Sequence, residues 1–349
     1  MGHRKKENLD RETELSNCNF VKTVLMLIVV LYHSIAFWGG GWFTKNPAIA
    51  SQGLKLLTGW LNTFHIYGFT LVSGYIFYYI KYEKGGYQDF RAFAGNKAKR
   101  LLIPYVFIAA IWVIPIQCIF TPFDLAEVVK NYVLAVSPSQ LWFLIMLFVV
   151  FVLFWLLSDF FAKHTVWGMA AVLGLYGVGL VAGTKIPNIF SIWTALQYLS
   201  YFWLGFKLRQ YGTTIIRKIS AVLWILVSIG LFALTRYLSG MSGLICKVLT
   251  IGFTYGTNLV GALMAFVVLQ KLADKVKWNG KLFALFSKRS MAVYLIYQQV
   301  IYFIIYLLNG LVNPYLNAAI NFVGAMSISL LLASVLMKFR ATRFLIGEK

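Results

Sequence analysis

The chain has 349 residues, of which 60% are apolar and 12% charged, and its net charge is +21. A soluble domain carries about 45–50% apolar and about 25% charged residues, so a soluble globule is excluded. Positive charge of this size would point to nucleic acid in a soluble protein. Here orientation in a membrane explains it, and no nucleic-acid partner is expected.

The apolar residues fall into ten runs of roughly the 20 residues that a bilayer core demands. They cover 18–38, 60–80, 101–120, 140–158, 166–184, 189–208, 220–239, 247–269, 289–310 and 316–337. The expected fold class is all-α: a polytopic membrane protein, a bundle of about ten transmembrane helices in one domain over 1–349. Residues 1–17 and 338–349 are left as tails. The first run is too long for the apolar region of a signal peptide and no small-residue cleavage site follows it, so it reads as a span. With the N-terminus inside, 25 of the 32 lysines and arginines fall in cytoplasmic segments and six in outer ones, while Lys22 lies within the first span. This positive-inside split predicts that both tails are cytoplasmic. The expected location is the plasma membrane, crossed many times.

The first span reads KTVLMLIVVLYH from Lys22 to His33. Eleven helical residues make about three turns, so the two side chains share a face, roughly 16 Å apart along the axis. Ionisable residues inside a span are costly and mark a functional site by default. Lys22 lies near the cytoplasmic boundary, where it can also simply snorkel to the interface. His33 falls in the outer half. The second span runs back inward and brings His65 to a similar depth. The bland alternatives are a packing histidine bonded to a neighbouring helix for His33, and an interfacial histidine for His65. Ser73-Gly74 in the same span reads as a pair of small residues for close helix approach.

The stretch 81–105, KYEKGGYQDFRAFAGNKAKRLLIPY, follows on the inner side. Lys97, Lys99 and Arg100 cluster where the third span begins, at the level of Lys22. Ordinary positive-inside anchoring explains part of this charge, and the cluster also suits phosphates arriving from the cytosol. Trp42 and the Trp142-Phe143 pair that opens the fourth span read as outer interfacial anchors. Segments 39–59 and 121–139 are the longest outer loops and the expected place for an acceptor to touch.

None of the 11 acidic residues lies in the middle of a span. Ion-coupled carriers usually hold their coupling ion on a buried carboxylate. Zinc and retaining-glycosidase chemistry also want acidic or clustered ligands. Cys18, Cys118 and Cys246 have no paired spacing, so neither a disulfide framework nor a metal site is expected. What remains is histidine chemistry reached from two sides.

Five pieces, in order, resemble the acyltransferase 3 family of integral membrane acyltransferases. They are a basic residue, ten residues and a His (Lys22 to His33); Phe64-His65 leading to Ser73-Gly74; Lys97 and Arg100 before Pro104-Tyr105; Trp142-Phe143-Leu144; and SMAVYLIYQ from Ser290 to Gln298. The chain departs from the family pattern at Asn19, where the family often has Asp, and at Tyr297, where the late motif often ends in His. The resemblance implies O-acylation, most often O-acetylation, of cell-surface carbohydrate with cytosolic acetyl-CoA. His33 would then serve as general base or transient acyl carrier, and His65 would polarise the thioester carbonyl or orient the acceptor. Lys22, Lys97, Lys99 and Arg100 would hold the CoA phosphates, Trp142 and Tyr297 would meet the acceptor, and no metal is required. The implied partners are acetyl-CoA, a cell-surface glycan or lipid-linked oligosaccharide, and the bilayer. The alternative is a transporter or flippase of an anionic glycan or lipid-linked precursor. A basic inner mouth suits it; the missing mid-span carboxylates count against it.

Overall fold

A computed structural model describes residues 2–40, 44–276, 278 and 280–348, with side chains from residue 12 onward. Trp42 lies outside the described residues. The first helix, α1 (Gly2–Ala36), is followed by the amphipathic α2 (Gln52–Asn62) and by α3 (His65–Tyr78), which ends in a π turn at Tyr79–Glu83. Helix α4 (Phe90–Ile108) continues through a π turn at Ala109–Val113 into α5 (Ile114–Phe120). The one-turn α6 (Leu125–Val128) precedes α7 (Trp142–Lys163). Then come α8 (Thr165–Lys185), α9 (Ile192–Tyr211), the short α10 (Thr214–Lys218) and α11 (Ala221–Ser239). Helices α12 (Leu244–Lys275), α13 (Lys281–Leu308), α14 (Pro314–Leu336) and the short α15 (Arg340–Leu345) complete the order, with no strand among the described residues.

The two segments read as outer loops hold helices. In α2, the Ser51 hydroxyl accepts from the Leu54 N–H and so caps the start, and Leu54, Thr58 and Leu61 are buried on one face. In α6, the Asp124 carboxylate accepts from the Ala126 and Glu127 N–H groups. The segment read as an N-terminal tail is helical from Gly2 and runs unbroken into the first span.

Eight helices among the described residues are long and apolar enough to cross a bilayer. The two other expected spans are α3, short by itself, and α9, more polar than the rest. Both sit at the centre of the bundle, where they meet protein instead of lipid. A Cβ on Gly74 would lie 1.9 Å from the Phe202 carbonyl oxygen, and one on Gly205 would lie 1.8 Å from that of Leu71. The two backbones therefore touch through glycines, which is the close approach read from Ser73-Gly74. Phe77, Phe154, Phe202 and Phe206 close a fully buried aromatic core around this contact. Helix α11 stands at the other extreme. Only 6% of its apolar window is buried in protein, against 61% for α1, so α11 faces lipid and α1 does not.

Buried charges staple the end of the bundle where α1 begins. The Glu14 carboxylate accepts from Tyr75 Oη at 2.7 Å, from Arg217 at 2.7 Å and from the Thr213 hydroxyl. Arg209 makes a two-pronged pair with Glu83 at 2.8 and 2.6 Å and donates to Tyr75 Oη at 3.1 Å. Arg217 also reaches Asp274, which accepts from Asn17 at 2.7 Å. This network ties α1, α3, α9, α10 and α12 together. Each buried ion in it has a counter-charge, the condition under which such groups are tolerated.

Candidate active site

His33 and His65 come together. Their ring centroids are 6.4 Å apart and nearly perpendicular. Both line one cavity of about 340 Å³. His65 is buried, while His33 keeps accessible surface because it faces this cavity. Tyr32 packs against both rings, stacked on His65 at 4.3 Å and edge-on to His33 at 4.8 Å.

Local backbone geometry places each Nδ1. His65 opens α3 just after α2 ends, and its Nδ1 lies 2.8 Å from the carbonyl oxygen of Leu61 in the last turn of α2. That carbonyl also accepts from the Phe64 N–H at 3.2 Å, and at a helix end its remaining lone pair is open to a side-chain donor. His33 Nδ1 lies 2.9 Å from the Val29 carbonyl oxygen, one turn back on α1. A carbonyl can only accept, so at His65 Nδ1 carries the proton and the basic lone pair is on Nε2. His33 Nδ1 has two oxygen neighbours, the Val29 carbonyl and the Tyr297 phenol, and its Nε2 is the basic atom when the carbonyl takes the proton. Tyr297 Oη lies 2.8 Å from His33 Nδ1 and fixes the ring from α13.

The rest of the wall alternates aromatic rings with amides and hydroxyls. Trp142, Tyr198, Tyr294 and Tyr302 supply rings; Asn62, Ser139, Gln140 and Gln298 supply polar atoms. Gln140 and Gln299 exchange amide hydrogen bonds at 2.8 and 3.1 Å, and Tyr294 Oη donates to the Gln140 carbonyl. Ser139 has φ +51°, an uncommon value for a residue with a side chain, and its Oγ accepts from Gln298 at 3.1 Å. Gln298 also donates to Tyr302 Oη at 2.6 Å, yet its Oε1 is buried with no partner among the described residues. A buried carbonyl oxygen of this kind is able to accept from a ligand hydroxyl.

The expected basic cluster gathers at the other end of α1. Lys97 lies within electrostatic reach of both Lys22 and Arg100. Its ammonium sits over Phe151, 3.7 Å from the ring centre, and donates to Tyr87 Oη at 3.2 Å. Lys99 is exposed, and helical spacing turns it away from the face that Lys97 and Arg100 share. Pro104 cannot donate to the Arg100 carbonyl one turn back. The chain end packs there instead: a Cβ on Gly347 would meet that oxygen at 2.7 Å, and Gly347 has φ +76°. Glu348 lies within electrostatic reach of Arg100, and burial raises its carboxyl above the usual range.

Comparison with known proteins decides the family. A model of the acyltransferase 3 family, described as an acyltransferase domain, matches residues 16–338. The chain belongs to this family. It is a multi-pass membrane acyltransferase. No curated protein and no solved structure matches it.

Of the acyltransferase's sequence-expected residues, His33, His65, Trp142 and Tyr297 share one cavity, and Lys22, Lys97 and Arg100 share another locus. Tyr32, Asn62, Gln140, Tyr198, Tyr294 and Tyr302 were not anticipated. Tyr294, Gln298 and Tyr302 stand at steps of four, one face of a helix, and that stripe was the available signal. Gln140 and Tyr198 carry no such signal, because they reach the cavity from different helices.

Proposed function

We propose that this membrane acyltransferase is an O-acetyltransferase that moves an acetyl group from cytosolic acetyl-CoA to a hydroxyl of a cell-surface or lipid-linked polysaccharide. The observation that carries this reading is the pair of imidazoles in one cavity, each with Nδ1 on a backbone carbonyl. General bases sit within hydrogen-bonding reach of the proton that they take, and a paired imidazole meets that need at neutral pH. Both termini lie in the cytoplasm in this reading, as the distribution of lysine and arginine favours. The Lys22, Lys97 and Arg100 cluster then faces the cytosol and suits a polyphosphate. The enzyme resides in the plasma membrane.

Acetyl-CoA supplies a thioester carbon open to attack. His33 Nε2 takes the proton of the acceptor hydroxyl as that oxygen bonds to the carbonyl carbon. The carbon–sulfur bond breaks, and the leaving CoA thiolate recovers a proton from the imidazolium. His65 donates no proton through Nε2 in its present tautomer, so it is read as orienting the acceptor hydroxyl. The aromatic and amide wall suits a sugar, whose apolar faces stack on rings while its hydroxyls need partners. The unpartnered Gln298 Oε1 supports the same class of ligand.

The test is CoA release and ester formation by purified protein supplied with acetyl-CoA and extracted surface glycan. His33→Ala is expected to abolish both while the protein still accumulates in the membrane. Near-normal acetylation by that variant would refute the reading. The transporter alternative predicts no CoA release from any variant.

A further inference from the structure

A second cavity of about 250 Å³ adjoins the first. Tyr32 and Asn62 line both, so the two meet at the ring that packs between the imidazoles. Its distinguishing residues are Lys55 from α2 and Arg236 from the last turn of α11. Both are exposed, and neither pairs with a carboxylate among the described residues.

The acids at this end of the bundle are otherwise engaged. Asp124 caps α6, and Glu127 holds Lys130 and Asn131, each at 3.0 Å. Glycines bring backbone close to the cavity wall. A Cβ on Gly39 would meet Thr58 Cγ2 at 2.9 Å, and one on Gly59 would meet the Phe232 ring at 3.0 Å. Cations that only anchor helices at an interface need no shared cavity. These two come from elements far apart in sequence and open onto a space that shares Tyr32 and Asn62 with the histidine site. Two convergent cations without a counter-ion make a seat for an anion.

We propose that this second cavity is an anion subsite and that the acceptor is an acidic saccharide, its carboxylate or phosphate seated by Lys55 and Arg236 while a hydroxyl reaches the imidazoles. The seat itself depends only on the cavity; the fate of the hydroxyl rests on the acyl-transfer reading above. A sugar anion and a lipid headgroup share this chemistry, and the experiment separates them.

The test is equilibrium binding to the full chain in neutral-lipid nanodiscs. The probes are octyl glucuronide, octyl glucose 6-phosphate, neutral octyl glucoside and a short-chain phosphatidylglycerol. At least one charged sugar should bind about tenfold tighter than octyl glucoside, a scale fitting two partly shielded charge contacts. Lys55→Gln/Arg236→Gln should erase that advantage, Lys55→Arg/Arg236→Lys should keep it, and Lys185→Gln, which does not line the cavity, should not change it. Equal binding of charged and neutral sugars overturns the proposal, as does a charge preference that the double glutamine variant retains or that Lys185→Gln equally removes. So does phosphatidylglycerol binding as tightly as the charged sugars. CoA release is followed separately. Its absence in the unaltered protein sinks acyl transfer and leaves a measured charge preference standing.

Discussion

Tyr297 Oη stands 2.8 Å from His33 Nδ1, across the gap between α13 and α1. Where the family often has a histidine, this chain has a phenol that touches the imidazole of the first span. Nδ1 also faces the Val29 carbonyl at 2.9 Å, so the phenol and the carbonyl together hold the ring plane. In the proposed mechanism its role is to position His33.

Tyr297→Phe keeps the ring and removes this contact. A hydrogen bond contributes about 0.5–1.5 kcal/mol, so losing this one from the proposed base should cost roughly 2–10-fold. Loss of the base itself removes ~10²–10⁴-fold. Steady-state rates of CoA release should therefore rank the unaltered protein, Tyr297→Phe and His33→Ala in that order, with the acetyl-CoA KM of Tyr297→Phe unchanged. A Tyr297→Phe rate equal to that of the unaltered protein would remove the positioning role.

Arg100 lies within electrostatic range of Lys97, and its carbonyl packs against Gly347. If these charges hold donor phosphates, Arg100→Ala should raise the KM for acetyl-CoA about tenfold, as expected for one lost charge-assisted contact, and leave the acceptor constant in place. Lys99→Ala, on the opposite face, should change the donor constant much less. Donor constants that move equally in both variants would point to a diffuse field instead of a site.

The α3–α9 crossing makes a sharper demand. Gly205→Ala drives a methyl into the Leu71 carbonyl, which is backbone and cannot rotate aside. Overpacking costs ~1–3 kcal/mol and more where backbone must shift. The melting midpoint in detergent should fall clearly, while Gly174→Ala, where a methyl meets nothing within 4 Å, should not fall. Equal midpoints for the two variants would contradict the glycine contact.

Arg209 is 3% exposed and its partner Glu83 29%. Removing one member of a buried pair costs ~3–5 kcal/mol, and the partial exposure of Glu83 places Arg209→Met toward the lower end. Arg209→Met/Glu83→Leu should be less damaging than Arg209→Met alone, because no charge is then left without a partner. Additive losses in a thermal-melting cycle would show that the pair is not what holds this end together.

Apolar runs, charge distribution and three-turn spacing were enough to determine an all-α membrane bundle, the shared face of Lys22 and His33, and the list of candidate bases. Those properties are local: they depend on helix pitch and on transfer of apolar side chains into lipid. Tertiary packing alone decided which helices lie at the centre. There α9 remains inside despite its polarity, because protein surrounds it. Packing also decided that the late-motif Tyr297 touches His33, that Gln140 and Tyr198 join the same wall, and that Lys55 and Arg236 face one space. Each of these relations joins side chains from helices distant in sequence, and no periodicity within a single helix can encode the rotation of its neighbour.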